Sequence, residues 1–270
     1  MKKIRSLPAG KPRARRRLFP FYIGFILAVM YIPIVLVIVY SFNQSRLSSV
    51  WSGFTLSWYA DLFRDRSMFE ALRNSFVLGI LSSFAAAFIG TLGASGMTRA
   101  RPAGGKVMEF LSILPIMTPE IILGMTFLAF FSLLSLPLGM LSLVIAHTAF
   151  CVPYVYLLVK ARLAGLDKGY VEAARILGAS DMRAFYDITL PLVLPAVISG
   201  MLISFAMSFD DVIISVFVTG VHTNTLPIKI YSQIKTGVTP KTNALCTLLF
   251  ALTVILCLVS AWLARFRSNQ

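Results

Sequence analysis

Six apolar runs constrain the fold of this chain more than any other feature of its sequence. They cover residues 18–40, 72–97, 107–131, 138–159, 192–218 and 243–264. A helix rises 1.5 Å per residue and crosses a hydrocarbon core of about 30 Å with roughly 20 residues, so each run is long enough for one span. Because 57% of the residues are hydrophobic and only 13% are charged, the sequence predicts an all-α, polytopic membrane protein with six transmembrane helices.

The basic residues predict how these spans are oriented. With the N-terminus in the cytoplasm, 18 of the 25 Lys and Arg residues lie on the cytoplasmic side, as the positive-inside rule favours. This gives a basic cytoplasmic tail at 1–17, a transmembrane domain at 18–264 and a cytoplasmic C-terminus at 265–270. The net charge of +14 does not indicate nucleic-acid binding, because the basic residues flank apolar runs and do not cluster on one soluble domain.

Motifs for catalysis and cofactor binding are absent from the sequence. Gly105-Lys106 resembles the end of a phosphate-binding P-loop, but Val107 stands where that motif needs Ser or Thr. No spacing of His, Cys or carboxylate residues matches a metal site or a catalytic triad. We therefore expect a protein that is not an enzyme, holds no cofactor or metal, and depends on another subunit for any use of ATP.

A polar loop at 160–191 interrupts the apolar pattern on the predicted cytoplasmic side. It predicts a short helix over 168–177 with Glu172 in its first turn, followed by Gly178 as a left-handed C-terminal residue. Ser180 is placed to cap a second helix. The two alanines that follow Glu172 leave one face of the first helix nearly bare. A loop with this much predicted structure indicates a docking surface for another protein.

Three acidic residues lie within or at the edges of the apolar runs: Glu120, Asp210 and Asp211. A central Asp costs about 2.5–3.5 kcal/mol on insertion scales, so such residues normally face a cavity, a partner or a substrate. Asp211 shares a predicted helix face with four hydroxyl residues at steps of three or four, namely Ser204, Ser208, Ser215 and Thr219. Two interpretations of this face stay open: a solute pathway, or a polar seam between helices.

Glu120 has two open interpretations of its own. Thr118-Pro119-Glu120 is typical of a helix start, with Thr118 as the N-cap and an acid in the first turn. Glu120 then either stabilises that helix end or contacts a solute. Carboxylates without basic partners in their own spans favour a cationic solute, and Trp58, in a predicted outer segment, adds an aromatic ring for a cation–π contact.

Seven positions of the loop form the pattern E-A-A-x3-G-x9-I-x-L-P: Glu172, Ala173, Ala174, Gly178, Ile188, Leu190 and Pro191. The pattern resembles the EAA signature of permeases of ABC importers. The resemblance implies a type I importer permease of MetI-like fold, whose loop docks on a separate ABC ATPase subunit. ATP and Mg²⁺ are then expected in that ATPase and not in this chain.

Beyond the loop, the chain resembles the permeases of spermidine/putrescine importers, the PotC type in particular. Segments such as Ser208-Phe209-Asp210-Asp211 carry this resemblance. It implies a bacterial inner-membrane protein that works with a second permease subunit, ATPase subunits and an extracytoplasmic substrate-binding protein, and that transports a cationic polyamine. The implied pathway residues are Trp58, Glu120, Ser208, Asp210 and Asp211. The alternatives are a permease for another solute, such as iron, sulfate or an opine, and an ion-driven secondary transporter.

Overall fold

A computed structural model describes residues 15–46, 50–100, 102–167, 169–221 and 223–268. Most of the predicted basic tail and the last two residues of the predicted C-terminus lie outside the described residues. The described part is helical, and its β-type pairing is limited to an isolated bridge between Asn43 and Phe54. The prediction of an all-α fold is therefore confirmed.

The described residues form twelve α-helices and one π-helical turn. The helices are α1 Arg15–Tyr40, α2 Ser57–Phe63, α3 Arg66–Ala100, α4 Gly105–Met117, α5 Glu120–Leu133, α6 Met140–Ala164, α7 Gly169–Ile176, α8 Asp181–Ala184, α9 Leu190–Asp210, α10 Ile213–Val218, α11 Leu226–Thr236 and α12 Pro240–Ser268. The π-helical turn, Phe185–Thr189, joins α8 to α9. Because α1 begins at Arg15, the last three residues of the predicted 1–17 tail are helical.

The chain divides into two compact units. The first contains the described residues up to Arg64 and from Thr236 onward, and in it α12 packs against α1 and α2. Asn43 is buried in this unit, where its side-chain amide donates to Val50 O at 2.7 Å and its side-chain oxygen accepts from Ser52 N at 3.0 Å. These bonds order the segment between α1 and α2.

The second unit, Asp65–Lys235, is built around three long helices, α3, α6 and α9. They cross closely at Val155 of α6, which lies between two glycines. A Cβ atom on Gly90 of α3 would lie 2.8 Å from Val155 Cβ, and one on Gly200 of α9 would lie 2.9 Å from Val155 Cα. Such contacts are too short for a side chain, so the two glycines are what allow α3 and α9 to approach α6 this closely.

Among the described residues, four helical segments are long and apolar enough to cross a membrane: Pro20–Tyr40, Arg66–Arg99, Met140–Ala164 and Asp181–Asp210. The predicted span at 107–131 is instead a pair of helices, α4 and α5, bent by 110°. The bend lies at Thr118, which has the extended ψ of 131° that a following proline favours. The sixth predicted run, 243–264, lies in α12.

Candidate functional site

The first half of the polar loop folds as its sequence predicts. Glu172 lies in the first turn of α7 and is exposed. Gly178 has a φ of +86°, and its amide donates to Arg175 O at 2.9 Å. The next amide, of Ala179, donates to Ala174 O at 2.9 Å. These two bonds form a Schellman motif, which confirms Gly178 as the left-handed residue that ends the helix.

The second half of the loop leads directly into a membrane-crossing helix. The Ser180 hydroxyl oxygen accepts from Arg183 N at 3.3 Å, so Ser180 caps α8 as predicted. An exposed ion pair between Arg175 Nη2 and Asp181 Oδ1, at 2.7 Å, connects α7 to α8. The π-helical turn then continues into α9. Local π-turns of this kind are frequent at functional sites.

Five large apolar or aromatic side chains of the loop are exposed. Their exposed fractions are 58% for Tyr170, 85% for Ile176, 88% for Leu177, 65% for Met182 and 57% for Tyr186. The polar character of the loop places it outside the hydrocarbon core, where exposed apolar groups of this size are unfavourable unless a partner covers them. The loop therefore has the features of a protein docking surface.

The other predicted coupling positions divide between the surface and the interior. Ala173 and Pro191 are exposed, whereas Ile188 and Leu190 are half-buried. Ala174 is buried, with 9% of its surface exposed. The prediction that both alanines form one bare face is therefore wrong, because successive helix residues point about 100° apart and only Ala173 turns outward.

Arg99 anchors the loop to the end of α3, a role that the sequence analysis did not identify. Its guanidinium donates to Thr189 Oγ1 and, at 3.5 Å, to Asp181 O, and it lies 5.2 Å from the centre of the Phe185 ring. Behind this contact is a cavity of about 650 Å³, whose lining includes Arg99, Tyr170, Glu172, Arg175 and Thr189. A displacement of the loop would therefore act on α3 as well as on α9.

The two aspartates lie where α9 is interrupted. The α9 helix ends at Asp210, Asp211 is extended with a ψ of 129°, and α10 starts at Ile213. The prediction of one continuous helix over 192–218 is therefore wrong. The Asp211 carboxylate accepts from Ile214 N at 3.2 Å and from Ser215 N at 2.8 Å, so it caps α10. Asp210 is exposed, and its carboxylate has no hydrogen bond or ion pair with any residue in the described ranges.

The hydroxyl residues predicted to share a face with Asp211 do point inward with it, despite the break. Ser204, Ser208 and Ser215 are buried, Asp211 retains 8% exposure, and Thr219 is half-buried. At the centre of this set is His147 of α6, which is completely buried. Its Nδ1 lies 2.8 Å from Ser208 Oγ, and its Nε2 lies 3.0 Å from Ser215 Oγ and 3.4 Å from Asp211 Oδ2.

His147 is the main residue that sequence reasoning missed. No ligand-like residue lies near it in sequence, and the serines that contact it are 61 and 68 positions away. The available signal was its position as a single imidazole in the apolar run 138–159. The rule that polar residues within spans have specific partners applies to it as it does to the acids.

Ser208, His147 and Asp211 together resemble a catalytic triad in composition but not in setting. Ser208 has only 2% of its surface exposed, and its hydroxyl oxygen lies 2.9 Å from the hydroxyl oxygen of Ser82 on α3. A substrate carbonyl could not reach a nucleophile enclosed in this way. The group is a hydrogen-bond network linking α3, α6, α9 and α10.

The remaining predicted pathway residues, Glu120 and Trp58, are not members of this hydrogen-bond network. Glu120 is half-buried at the start of α5, as predicted. Thr118 does not cap that helix, because its hydroxyl donates backward to Leu114 O at 2.9 Å. Trp58 belongs to the first unit, where its indole N–H donates to Asn43 O at 2.7 Å. Within the described residues, no group of three or more His, Cys, Asp or Glu residues is arranged to hold a metal ion.

Comparison with known proteins connects these features to transport. The family model described as "Binding-protein-dependent transport system inner membrane component" matches residues 86–268. The spermidine/putrescine transport system permease protein PotC of Escherichia coli (strain K12) is 41% identical over 90% of this chain and 92% of its own length. The putrescine transport system permease protein PotI of the same organism is 36% identical over 96% of this chain and 93% of its own length.

Solved structures show the same fold at low sequence identity. A chain of a bacterial ABC transporter involved in the import of the acidic polysaccharide alginate superposes with a TM-score of 0.73 at 14% identity, over 96% of this chain and 99% of that chain. A chain of the inward-facing MetNI methionine ABC transporter superposes with a TM-score of 0.59 at 19% identity, over 77% of this chain and 95% of that chain. These confirm the predicted type I ABC importer permease fold.

The comparisons also confirm the predicted functional class, a membrane permease subunit and not an enzyme. The match to the family model covers well over half of the chain, and the relatives align along nearly their whole length. The chain belongs to the family of inner-membrane components of binding-protein-dependent transport systems.

Proposed function

We propose that this chain is a transmembrane permease subunit of an ATP-driven importer of polyamines such as spermidine and putrescine. The observation that carries the proposal is the loop between α6 and α9, which combines a Schellman turn with exposed apolar side chains and carries a signature shared with ABC importer permeases. The cargo assignment is supported by PotC and PotI, whose names specify spermidine/putrescine and putrescine transport.

The loop is the proposed contact with an ABC ATPase. Ile176 and Leu177, at the end of α7, supply apolar surface, while Glu172 supplies an exposed carboxylate for a basic residue of the partner. ATP and Mg²⁺ bind in the ATPase. Closure of the ATPase dimer then displaces the loop, and the displacement reaches the membrane helices through α9 and through the Arg99 contact with α3.

The other proposed partners are a second permease subunit and an extracytoplasmic substrate-binding protein. A structural neighbour is a bacterial alginate ABC transporter in complex with a periplasmic protein that holds an alginate pentasaccharide. The proposed orientation, with both termini in the cytoplasm, rests on the excess of basic residues on that side. It places the loop with the ATPase and the acid pair in the outer half of the membrane.

The proposed pathway for the cationic cargo uses carboxylates and an aromatic ring. Asp210 is exposed at the end of α9 without a basic partner in the described residues, and Glu120 is half-buried at the start of α5. A protonated amine is attracted to both, and Trp58 adds a cation–π surface. Ser208 and Asp211 are the other proposed pathway residues, and they lie on the buried side of the same helix break.

The proposal is tested by transport in proteoliposomes that contain the permease pair and the ATPase, with the binding protein added outside and ATP inside. Radiolabelled spermidine and putrescine should accumulate with ATP, and unlabelled polyamine should compete. Uptake driven by a membrane potential without ATP would support the secondary transporter instead. ATP-driven uptake of iron, sulfate or an opine, with none of either polyamine, would replace the cargo but keep the ABC assignment.

A further inference from the structure

Asp211 is a buried carboxylate whose immediate partners include no Lys or Arg among the described residues. Its side chain is 4% exposed. An unpaired charge in such a place is strongly unfavourable. The carboxylate accepts two backbone N–H groups at the start of α10, and the Nε2 atom of His147 faces it at 3.4 Å. His147 is therefore the side chain that supplies a compensating N–H dipole.

The hydrogen-bond partners fix how the imidazole is oriented. A carboxylate oxygen accepts, so the tautomer with its hydrogen on Nε2 donates toward Asp211 Oδ2, while the Ser215 hydroxyl lies 3.0 Å from the same nitrogen. On the opposite side, Nδ1 faces Ser208, whose hydroxyl also contacts Ser82. Both ring nitrogens are thus engaged, one with α9 and the other with Asp211 and α10.

This arrangement spans the break between α9 and α10. Ser208 lies just before the break, and Asp211 and Ser215 lie just after the end of α9. With Asp211 held inward by His147 and by the α10 amides, the preceding residue, Asp210, is turned outward. Two adjacent carboxylates of the same charge thereby acquire different environments.

We propose that His147 is a positioning residue for the cation pathway. It holds Asp211 and the helix break so that Asp210 is the carboxylate presented to the cargo. The proposal rests on the polyamine-transport function for the part that concerns cargo, but the geometry of the break is independent of which solute is carried. Asp210 contacts the solute, and Asp211 and His147 maintain the backbone that presents it.

The variants for the test are His147→Leu, which removes both ring nitrogens, and His147→Gln, whose side-chain amide offers one donor and one acceptor. The matched control is Thr148→Val. Thr148 is the next residue of α6, it is also buried, with 7% of its surface exposed, and its hydroxyl has no hydrogen-bond partner within the described part of the chain. Its replacement changes a buried side chain without touching the network.

The first measurement is chemical access to position 210. Asp210→Cys is combined with each variant in a background without Cys151, Cys246 and Cys257, and the solubilised complex is reacted with a membrane-impermeant, positively charged methanethiosulfonate. His147→Leu should change the labelling rate by about tenfold or more, the factor that corresponds to losing a hydrogen bond to a charged group. Thr148→Val should leave the rate unchanged, and His147→Gln should restore most of it.

The second measurement is spermidine uptake by the reconstituted complex with Asp210 intact. His147→Leu should raise KM while the ATPase activity of the complex is retained, and His147→Gln should lie close to the wild type. Equal labelling rates and equal KM values for His147→Leu and Thr148→Val would overturn the proposal. If His147→Leu does not assemble, His147→Gln decides: labelling and KM far from those of Thr148→Val would equally overturn it. A wild-type complex that transports no polyamine refutes the cargo assignment and leaves the labelling result standing.

Discussion

Gly178 offers the sharpest test of the proposed coupling loop, because a side chain added there strains the backbone without clashing with another part of the chain. Its φ of +86° lies in the left-handed region, and a Cβ atom built there would meet no other atom within 4 Å. An L-residue in this conformation costs about 1–2 kcal/mol. If the partner binds only the native turn, Gly178→Ala weakens docking of the ATPase by as much as about 5–30-fold. Asn tolerates the left-handed region, so Gly178→Asn should be milder.

Gly178→Pro is the strongest form of the same perturbation. Proline fixes φ near −65° and has no amide hydrogen, so the variant also loses the bond from Gly178 N to Arg175 O, which is 2.9 Å in the wild type. We expect ATP-driven uptake to fall at least about tenfold. The assays are ATPase binding to the permease pair in nanodiscs and uptake in proteoliposomes.

The control for this series is Gly165→Ala, at the end of α6 in the same loop. Gly165 has a φ of −90°, and the nearest atom to a Cβ there is 3.7 Å away, so alanine fits without strain. It should bind the ATPase as the wild type does. Wild-type uptake by Gly178→Pro would refute the assignment of this loop to coupling, whatever the result for alanine.

Two further predictions concern the membrane helices. Gly200→Ala should lower the melting temperature of the solubilised chain by several degrees, because overpacking against the backbone of α6 costs about 1–3 kcal/mol. The control Gly96→Ala, whose added Cβ meets nothing within 4 Å, should not lower it. Equal melting curves for the two variants would show that α9 shifts freely. Asp210→Asn should raise the KM for spermidine without lowering the melting temperature. Asp211→Asn should lower both spermidine uptake and the melting temperature, because it weakens the cap of α10. Identical behaviour of the two variants would contradict separate roles for the two acids.

The loop was predictable because its structure is decided locally. A Schellman turn depends on one glycine and on amides within five residues of it, and a helix cap depends on one hydroxyl and an amide three residues later. The roles of Gly178 as a left-handed C-terminal residue and of Ser180 as a helix cap can therefore be predicted from the sequence. The exposure of Ile176 and Leu177 could not be predicted in this way, because a sequence does not distinguish an exposed apolar residue from one in the core.

The break at Asp211 was not predictable in the same way. No proline or glycine occurs at positions 210–212, and the periodicity of the hydroxyl residues continues through it. The break is stabilised by the capping bonds of Asp211 and by His147 from a different helix, and a single sequence does not show which distant residue will supply such a contact. At Thr118–Pro119 the proline indicated an interruption, but the bend of 110° depends on how α5 packs against α10.

The position of α9 relates the two candidate sites to each other. The helix begins at Leu190, immediately after the loop, and ends at Asp210, so its 21 residues form a rod about 30 Å long. Gly200, at its midpoint, is packed against Val155 of α6 with no room for a side chain. A rod held at its centre moves its two ends in opposite directions. A displacement of the loop by the ATPase would thus appear at Asp210 with similar size and opposite sense. In the proposed mechanism, α9 and its close crossing with α6 therefore connect the loop to Asp210 directly, beside the second connection that Arg99 makes to α3.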